Sequence, residues 1–153
     1  MSKHNKLNKG FSLIELLVVI GIIAVLAGLT TFNFNNARMR ARDVQRKNDL
    51  RSVQKALELY KTDNMQKTPI LSTWSDLMTT LAPSTGVKYL DKTLRDPKTG
   101  TAATWPEYSY TSSDGTSYTM TACLESTSDS EATTVKCPDA GSGPGRVYKL
   151  EML

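Results

Sequence analysis

The sequence predicts an α+β fold: one long N-terminal helix, its second half packed on a small antiparallel β-sheet. Three observations carry this reading. Residues 11 to 29 form an apolar run with only Ser12 and Glu15 as polar side chains. No glycine or proline occurs between Leu29 and Thr68, and there Leu50, Val53, Leu57 and Tyr60 recur at helical spacing. The last third of the 153 residues alternates apolar and polar positions with a period of two, broken by Asp114-Gly115.

The apolar run comes first. Lys3, Lys6 and Lys9 precede it, and without them the chain carries sixteen basic against fifteen acidic residues. As a helix, residues 11 to 29 span about 28 Å, close to the roughly 30 Å hydrocarbon core of a bilayer. A buried helix of a soluble core is the alternative, but the rest of the chain is too small to cover a helix apolar on all sides. Basic residues ahead of a first apolar segment keep that end cytoplasmic and send the remainder across the membrane. Val25-Leu26-Ala27 offers the small residues of an ordinary secretory signal. Leu29 after Ala27-Gly28 rules out a lipoprotein signal. Glu15 argues against any disposable signal, because a carboxylate within an apolar segment costs about 2.5–3.5 kcal/mol on insertion scales.

The helix then changes character without ending. Arg38, Arg40, Arg42, Arg46, Lys47 and Arg51 are opposed only by Asp43 and Asp49. The expectation is a solvated basic face with Asp43 and Lys47 as an i,i+4 pair; a nucleic-acid or lipid-headgroup patch is the alternative. From Val44 the apolar stripe continues to Tyr60, giving one helix from about Phe11 to about Asp63, about 80 Å long. Asn64 is expected to close it in the left-handed cap conformation.

Ser72-Thr73-Trp74 opens a second, short helix that Pro83 stops. Trp74, Leu77, Met78 and Leu81 share its face, with Trp74 as a core anchor. Residues 84–106 read as an extended surface loop. Strands are predicted over Glu107–Thr111, Ser117–Leu124 and Arg146–Leu153. Tyr118, Met120, Ala122 and Leu124 face the long helix, and Tyr148, Leu150 and Met152 form the apolar face of the last strand. Residues 125–145 are rich in Ser, Thr, Gly and Asp and read as a loop without a core. Cys123 and Cys137 flank it. In an exported protein an even pair reads as a disulfide, and closing about 15 residues is worth roughly 3 kcal/mol. Two buried free thiols are the alternative.

Composition narrows the chemistry. The chain has one histidine, His4, and two cysteines. A histidine-based triad, a histidine-rich metal site and a CxxC redox motif are excluded. Asp91, Asp96, Glu107 and Asp114 show no paired spacing of the kind a glycosidase needs. Asp129, Glu131 and Asp139 supply oxygen ligands but lack EF-hand spacing and read as solvated loop acids. No enzyme, cofactor or metal is expected.

Lys9-Gly10-Phe11-Ser12-Leu13-Ile14-Glu15, leading into the apolar run, closely resembles the N-terminal methylation motif of type IV pilins and pseudopilins. The likeness is strong over residues 6–31, weaker to about residue 70, and beyond that one of layout. It implies cleavage by a prepilin peptidase between Gly10 and Phe11, N-methylation of Phe11, and a role for Glu15 in assembly. Many members have a disulfide-bounded loop near the C-terminus, as Cys123 and Cys137 would form, and some major pseudopilins bind calcium there. The chain departs from the family where many members have a bend-forming proline: Phe32 stands in that place. Gly21 and Gly28 are the weak helix formers where melting would fall.

The resemblance implies residues 1–10 as a cytoplasmic leader, 11–35 as a transmembrane and filament-core helix, and 36–153 as an extracytoplasmic head. It implies a structural subunit of a type IV pilus-like filament, in the cytoplasmic membrane before assembly and at the cell surface after it. Its partners would be copies of itself, the prepilin peptidase, the pilus assembly platform and the membrane, with DNA or a surface as a further partner. The alternatives are a type II secretion pseudopilin and a membrane-anchored binding protein that never polymerises.

Overall fold

The computed structural model describes residues 10–99, 105–137 and 145–152, apart from the side chains of residues 29–33. The leader up to Lys9, the Phe32 side chain and Asp139 lie outside the described residues. The elements are α1 (Leu13–Asp63), α2 (Trp74–Leu81), β1 (Ser109–Thr111), β2 (Tyr118–Leu124) and β3 (Arg146–Met152). Two compact units divide between Arg38 and Met39.

The described residues of the first unit are helical from Leu13 onward. Every large apolar side chain from Leu13 to Leu26 is exposed, Val19 the least at 48%. Among the described residues no helix is long and apolar enough to cross a membrane. The described apolar side chains stop at Gly28, so this stretch covers about 24 Å.

The second unit holds the core. Leu50, Val53, Ala56 and Leu57 of α1 are buried with Trp74, Leu77, Met78 and Leu81 of α2 and with Tyr110, Tyr118, Met120, Ala122, Leu124 and Tyr148 of the sheet. The stripe starts later than Val44, which is 57% exposed; Asp43 and Arg46 are buried in its stead. The end of α1 also differs from expectation. Met65 and Gln66, not Asn64, take the positive φ angles. Asn64 donates its side-chain amide to the Tyr60 carbonyl at 2.8 Å, and the Gln66 N–H reaches the Lys61 carbonyl at 2.9 Å. With its side chain capping one carbonyl, Asn64 leaves the left-handed turn to the next two residues.

Helix α2 forms as read. The Thr73 hydroxyl accepts from the Asp76 N–H, the N-cap bond that Ser/Thr provide, and all four predicted face residues are buried. Trp74 is anchored by donation of Nε1–H to the Leu94 carbonyl at 2.9 Å and an edge-on contact with Tyr108.

The sheet is an antiparallel meander in the order β1-β2-β3. Tyr110 pairs with Met120, and Met120 with Leu150, so apolar residues stack on one face across all three strands. The Asp114-Gly115 turn is present, and Gly115 has φ 70°. A side chain there would also meet the Thr68 carbonyl at 3.2 Å, the same segment that donates Thr68 N–H back to Gly115. Strand β1 is shorter than predicted. Glu107 lies outside it and turns its carboxylate to the N–H groups of Asp96 and Tyr108. Nor is residues 84–106 simply a surface loop: Tyr89 and Leu90 donate to the Leu81 carbonyl, and Asp96 is 3% exposed.

Candidate functional site

Gly10, Phe11 and Glu15 sit together at the start of α1. Glu15 occupies the first turn and accepts the Ser12 backbone N–H at 3.1 Å. This is the reciprocal half of a capping box, where a residue three positions into a helix satisfies the N-cap donor. A negative charge there also suits the helix dipole. Ser12-x-x-Glu15 is the sequence signal for this bond. Phe11 is 87% exposed. Gly10 has open space where a side chain would begin and does not occupy the left-handed region. The chain's own packing therefore does not require glycine at position 10. Among the described residues, the segment presents an exposed Gly-Phe peptide, an exposed aromatic side chain and a carboxylate bonded to the Ser12 backbone N–H.

In the second unit, the basic stretch of α1 is exposed at Arg40 and Arg51, as a solvated face would be, but not at Arg46. The Arg46 side chain is fully buried among three carboxylates. It grips Asp96 through Nε and Nη2 at 2.7 and 3.1 Å, and through Nη1 reaches Asp43 at 2.7 Å and Glu125 at 2.9 Å. Arg42 bonds both oxygens of Glu125 at 2.6 and 2.7 Å, and Lys98 adds a third cation at 2.9 Å. Asp43 in turn accepts the N–H groups of Glu125 and Ser126. Three cations thus meet three anions, and Trp105 stacks against Arg46 and Lys98. Burial opposes ionisation of Glu125, but hydrogen bonds from Arg42, Lys98 and Arg46 outweigh it and bring its pKa down to about 2. Burial likewise opposes the charge of Arg46, yet its bonds to Asp96, Glu125 and Asp43 hold its pKa above the usual arginine value.

The expected Asp43–Lys47 pair is replaced by longer-range partners. Lys47 Nζ bonds both oxygens of Asp129 at 2.6 and 2.7 Å and lies 2.7 Å from Glu131, which also meets Arg51 at 3.2 Å. Asp129 and Glu131 are therefore engaged with α1, although Glu131 stays about half exposed. Hydrogen bonds from Lys47 lower both of their pKa values, against burial in the case of Asp129. Among the described residues no group of three or more His, Cys, Asp or Glu is placed to hold a metal ion.

The segment after β2 is likewise more than a loop. Cys123 and Cys137 form a disulfide with their Cα atoms 5.7 Å apart. Thr133 N–H donates to the Val147 carbonyl and Val147 N–H to that of Val135, while Lys136 bridges Arg146. The excursion thereby lies along the outer edge of β3 and covers it in part. Gly145 is needed here: a Cβ would stand 2.8 Å from the Cys123 sulfur.

The remaining candidate acids do not converge on a reaction centre. Asp96 and Glu107 are close, the Asp96 N–H donating to Glu107 at 2.8 Å, but the Asp96 carboxylate is spent on Arg46. Asp114 holds its own turn by accepting the N–H groups of Ser117 and Thr116, which depress its pKa far below the carboxylate range.

An uncovered apolar helix that opens on Gly-Phe-Ser-x-x-Glu, in one chain with a disulfide-bonded α+β head, defines a chain of pilin-like layout. Residues 5–31 match the family model described as the prokaryotic N-terminal methylation motif. The chain is 48% identical over 56 residues to the type IV wide pilus major component PilA4 of Thermus thermophilus, covering 37% of this chain and 43% of that one. It is 39% identical over 56 residues to the type II secretion system core protein G of Escherichia coli, covering 37% of this chain and 39% of the relative. To the type IV major pilin protein PilA of Myxococcus xanthus it is 33% identical over 60 residues, 39% of this chain and 27% of that one. The chain thus spans less than half the length of these curated relatives. No solved structure matches.

Proposed function

We propose that the chain is a structural subunit of a type IV pilus-like filament and acts by assembly rather than by catalysis. The carrying observation is the methylation motif running directly into an apolar helix that its own chain leaves bare. That much apolar surface needs a cover. Lipid supplies it while the subunit waits in the cytoplasmic membrane, with residues 1–10 as leader, 11–35 as the spanning helix and 36–153 outside. The helices of sister subunits supply it in the filament at the cell surface, through an assembly platform.

Processing prepares that exchange. A prepilin peptidase cuts after Gly10, where the bare glycine offers no obstruction, and Phe11 becomes the methylated N-terminus. Lateral packing then strips water from Glu15. A buried, unpaired carboxylate is costly and must find a cation or a proton. The new Phe11 amine of a neighbouring subunit is such a cation, and methylation leaves it charged. The exposed bond from Ser12 is weak enough to be exchanged for it.

The identity to the core protein G of Escherichia coli supports a second reading, a type II secretion pseudopilin. A membrane-anchored protein that never polymerises is the reading the experiment must eliminate. Sheared surface filaments are examined by electron microscopy and their subunit by intact mass. We expect filaments whose subunit begins at methylated Phe11, and an uncut membrane precursor in Gly10→Val. A mature mass beginning at Gly28, or processed subunits without filaments of either kind, would overturn the proposal.

A further inference from the structure

We propose that Phe34 and Arg38 form a clamp for an anionic phospholipid headgroup, of the phosphatidylglycerol class, in the outer leaflet of the membrane that holds the unassembled subunit. The proposal rests on the membrane-anchored reading above and adds a specific lipid partner to it. The guanidinium carbon of Arg38 lies 4.3 Å from the centroid of the Phe34 ring, one turn earlier on α1. The side chain therefore leans back toward the apolar run. Both residues are exposed, Phe34 at 56%.

Their depth fits a headgroup. Phe34 lies five residues past Leu29 and Arg38 nine, which is about 7.5 and 13.5 Å along a helix. The polar zone on each face of a bilayer is roughly 5–7 Å thick. Phe34 falls at its outer border, and an arginine beyond it that leans inward delivers its charge among the phosphates, as interfacial arginines do by snorkelling. Stacking uses the flat face of the guanidinium and leaves the N–H edge for a two-pronged bond to phosphate oxygens.

The charge pattern selects an anion. No acidic residue occurs between Glu15 and Asp43. Arg40, two residues on, is exposed as well, and beyond it the cations of the helix are committed to acids of the second unit: Arg42 and Arg46 to Glu125, Lys47 to Asp129 and Glu131. Among the described residues Arg38 has no carboxylate partner, so its charge is available to lipid.

The test uses the full-length chain. Flotation with vesicles of phosphatidylcholine alone, and of phosphatidylcholine with phosphatidylglycerol, measures anchoring. Native mass spectrometry of the detergent-solubilised chain titrated with each lipid measures the clamp. Arg38→Gln should lower phosphatidylglycerol affinity about fivefold, the effect of one basic residue at an anionic surface. Phe34→Leu should lower it less, and Arg95→Gln, an exposed arginine of the head, not at all. Equal retention of the two lipids by a chain that floats normally overturns this proposal alone. So does competition by inorganic phosphate or by a short DNA duplex at the lipid's own concentration, which would assign the site to a soluble anion or to nucleic acid. Failure to float with either vesicle overturns the anchor reading as well.

Discussion

Arg46→Met tests whether the buried charge cluster holds the head together. The substitution keeps most of the volume and removes the cation. Its effects on the three partners are unequal. Glu125 retains Arg42 and Lys98, and Asp43 retains the N–H groups of Glu125 and Ser126. Asp96 loses both of its bonds from Arg46 and, among the described residues, keeps the N–H of Lys98. A fully buried carboxylate stripped of its cation is the expensive product. Removing one partner of a buried pair costs about 3–5 kcal/mol, whereas replacing both by apolar groups of like volume is often neutral. Against a domain stability of about 5–15 kcal/mol, the single change is severe. Arg46→Met with Asp96→Leu should recover most of the loss. Denaturant titration of the full-length chain in detergent is the assay, read by tryptophan fluorescence, since Trp105 stacks on Arg46 and reports the cluster directly. A loss under about 1 kcal/mol for Arg46→Met, or a double variant no better than the single, refutes the reasoning.

Further outcomes are expected. Glu125 has its pKa depressed from 4.5 to about 2, so its contribution is complete above pH 4.5 and lost as pH falls toward 2; melting curves of Glu125→Gln should lack that acid-sensitive component. Cys123→Ser with Cys137→Ser should lower stability by roughly 3 kcal/mol and loosen residues 125–136, measured by thermal melting and proteolysis, while the native chain should show no reactive thiol without reductant. Gly145→Ala should cost about 1–3 kcal/mol by crowding the disulfide, in contrast to Gly10→Ala, which should leave the melting temperature unchanged. Glu15→Gln keeps a side chain able to cap Ser12 but not the charge, so it should enter filaments as poorly as Glu15→Ala; filament counts that follow capping ability instead would remove the charge-pairing mechanism.

Local signals were legible wherever the physics was local. The period of the apolar stripe from Leu50 to Tyr60, the Thr73 cap, the Asp114-Gly115 turn and the alternation of Tyr118, Met120, Ala122 and Leu124 each depend on near neighbours, and each appears in the fold. What escaped was set by distant neighbours. Three residues either side of Arg46 hold only Asp43 and Asp49 as acids, a local pattern that reads as a surface charge. The partners that bury it, Asp96 and Glu125, stand 50 and 79 positions away. The same holds for Lys47, whose anions lie more than 80 residues on. Two local features stand apart: the Ser12-x-x-Glu15 capping box, and Asn64, whose side-chain bond to the Tyr60 carbonyl leaves the left-handed turn to Met65 and Gln66.

These two kinds of charge divide the chain by where its stability comes from. In the head, every cation from Arg42 to Arg51 finds an acid of the same chain, and the core, disulfide and edge-covering excursion are likewise intramolecular. Such a unit can fold before it has any partner. In the N-terminal helix the balance is reversed. The large apolar side chains from Leu13 to Leu26 are all exposed, and Glu15 is held by one exposed bond to Ser12. On the proposed filament reading, such a chain completes its helix by association, and Glu15, the acid inside the apolar run, is a group whose demand for a partner would change between lipid and filament. That difference would make assembly specific, since apolar packing alone fixes no register.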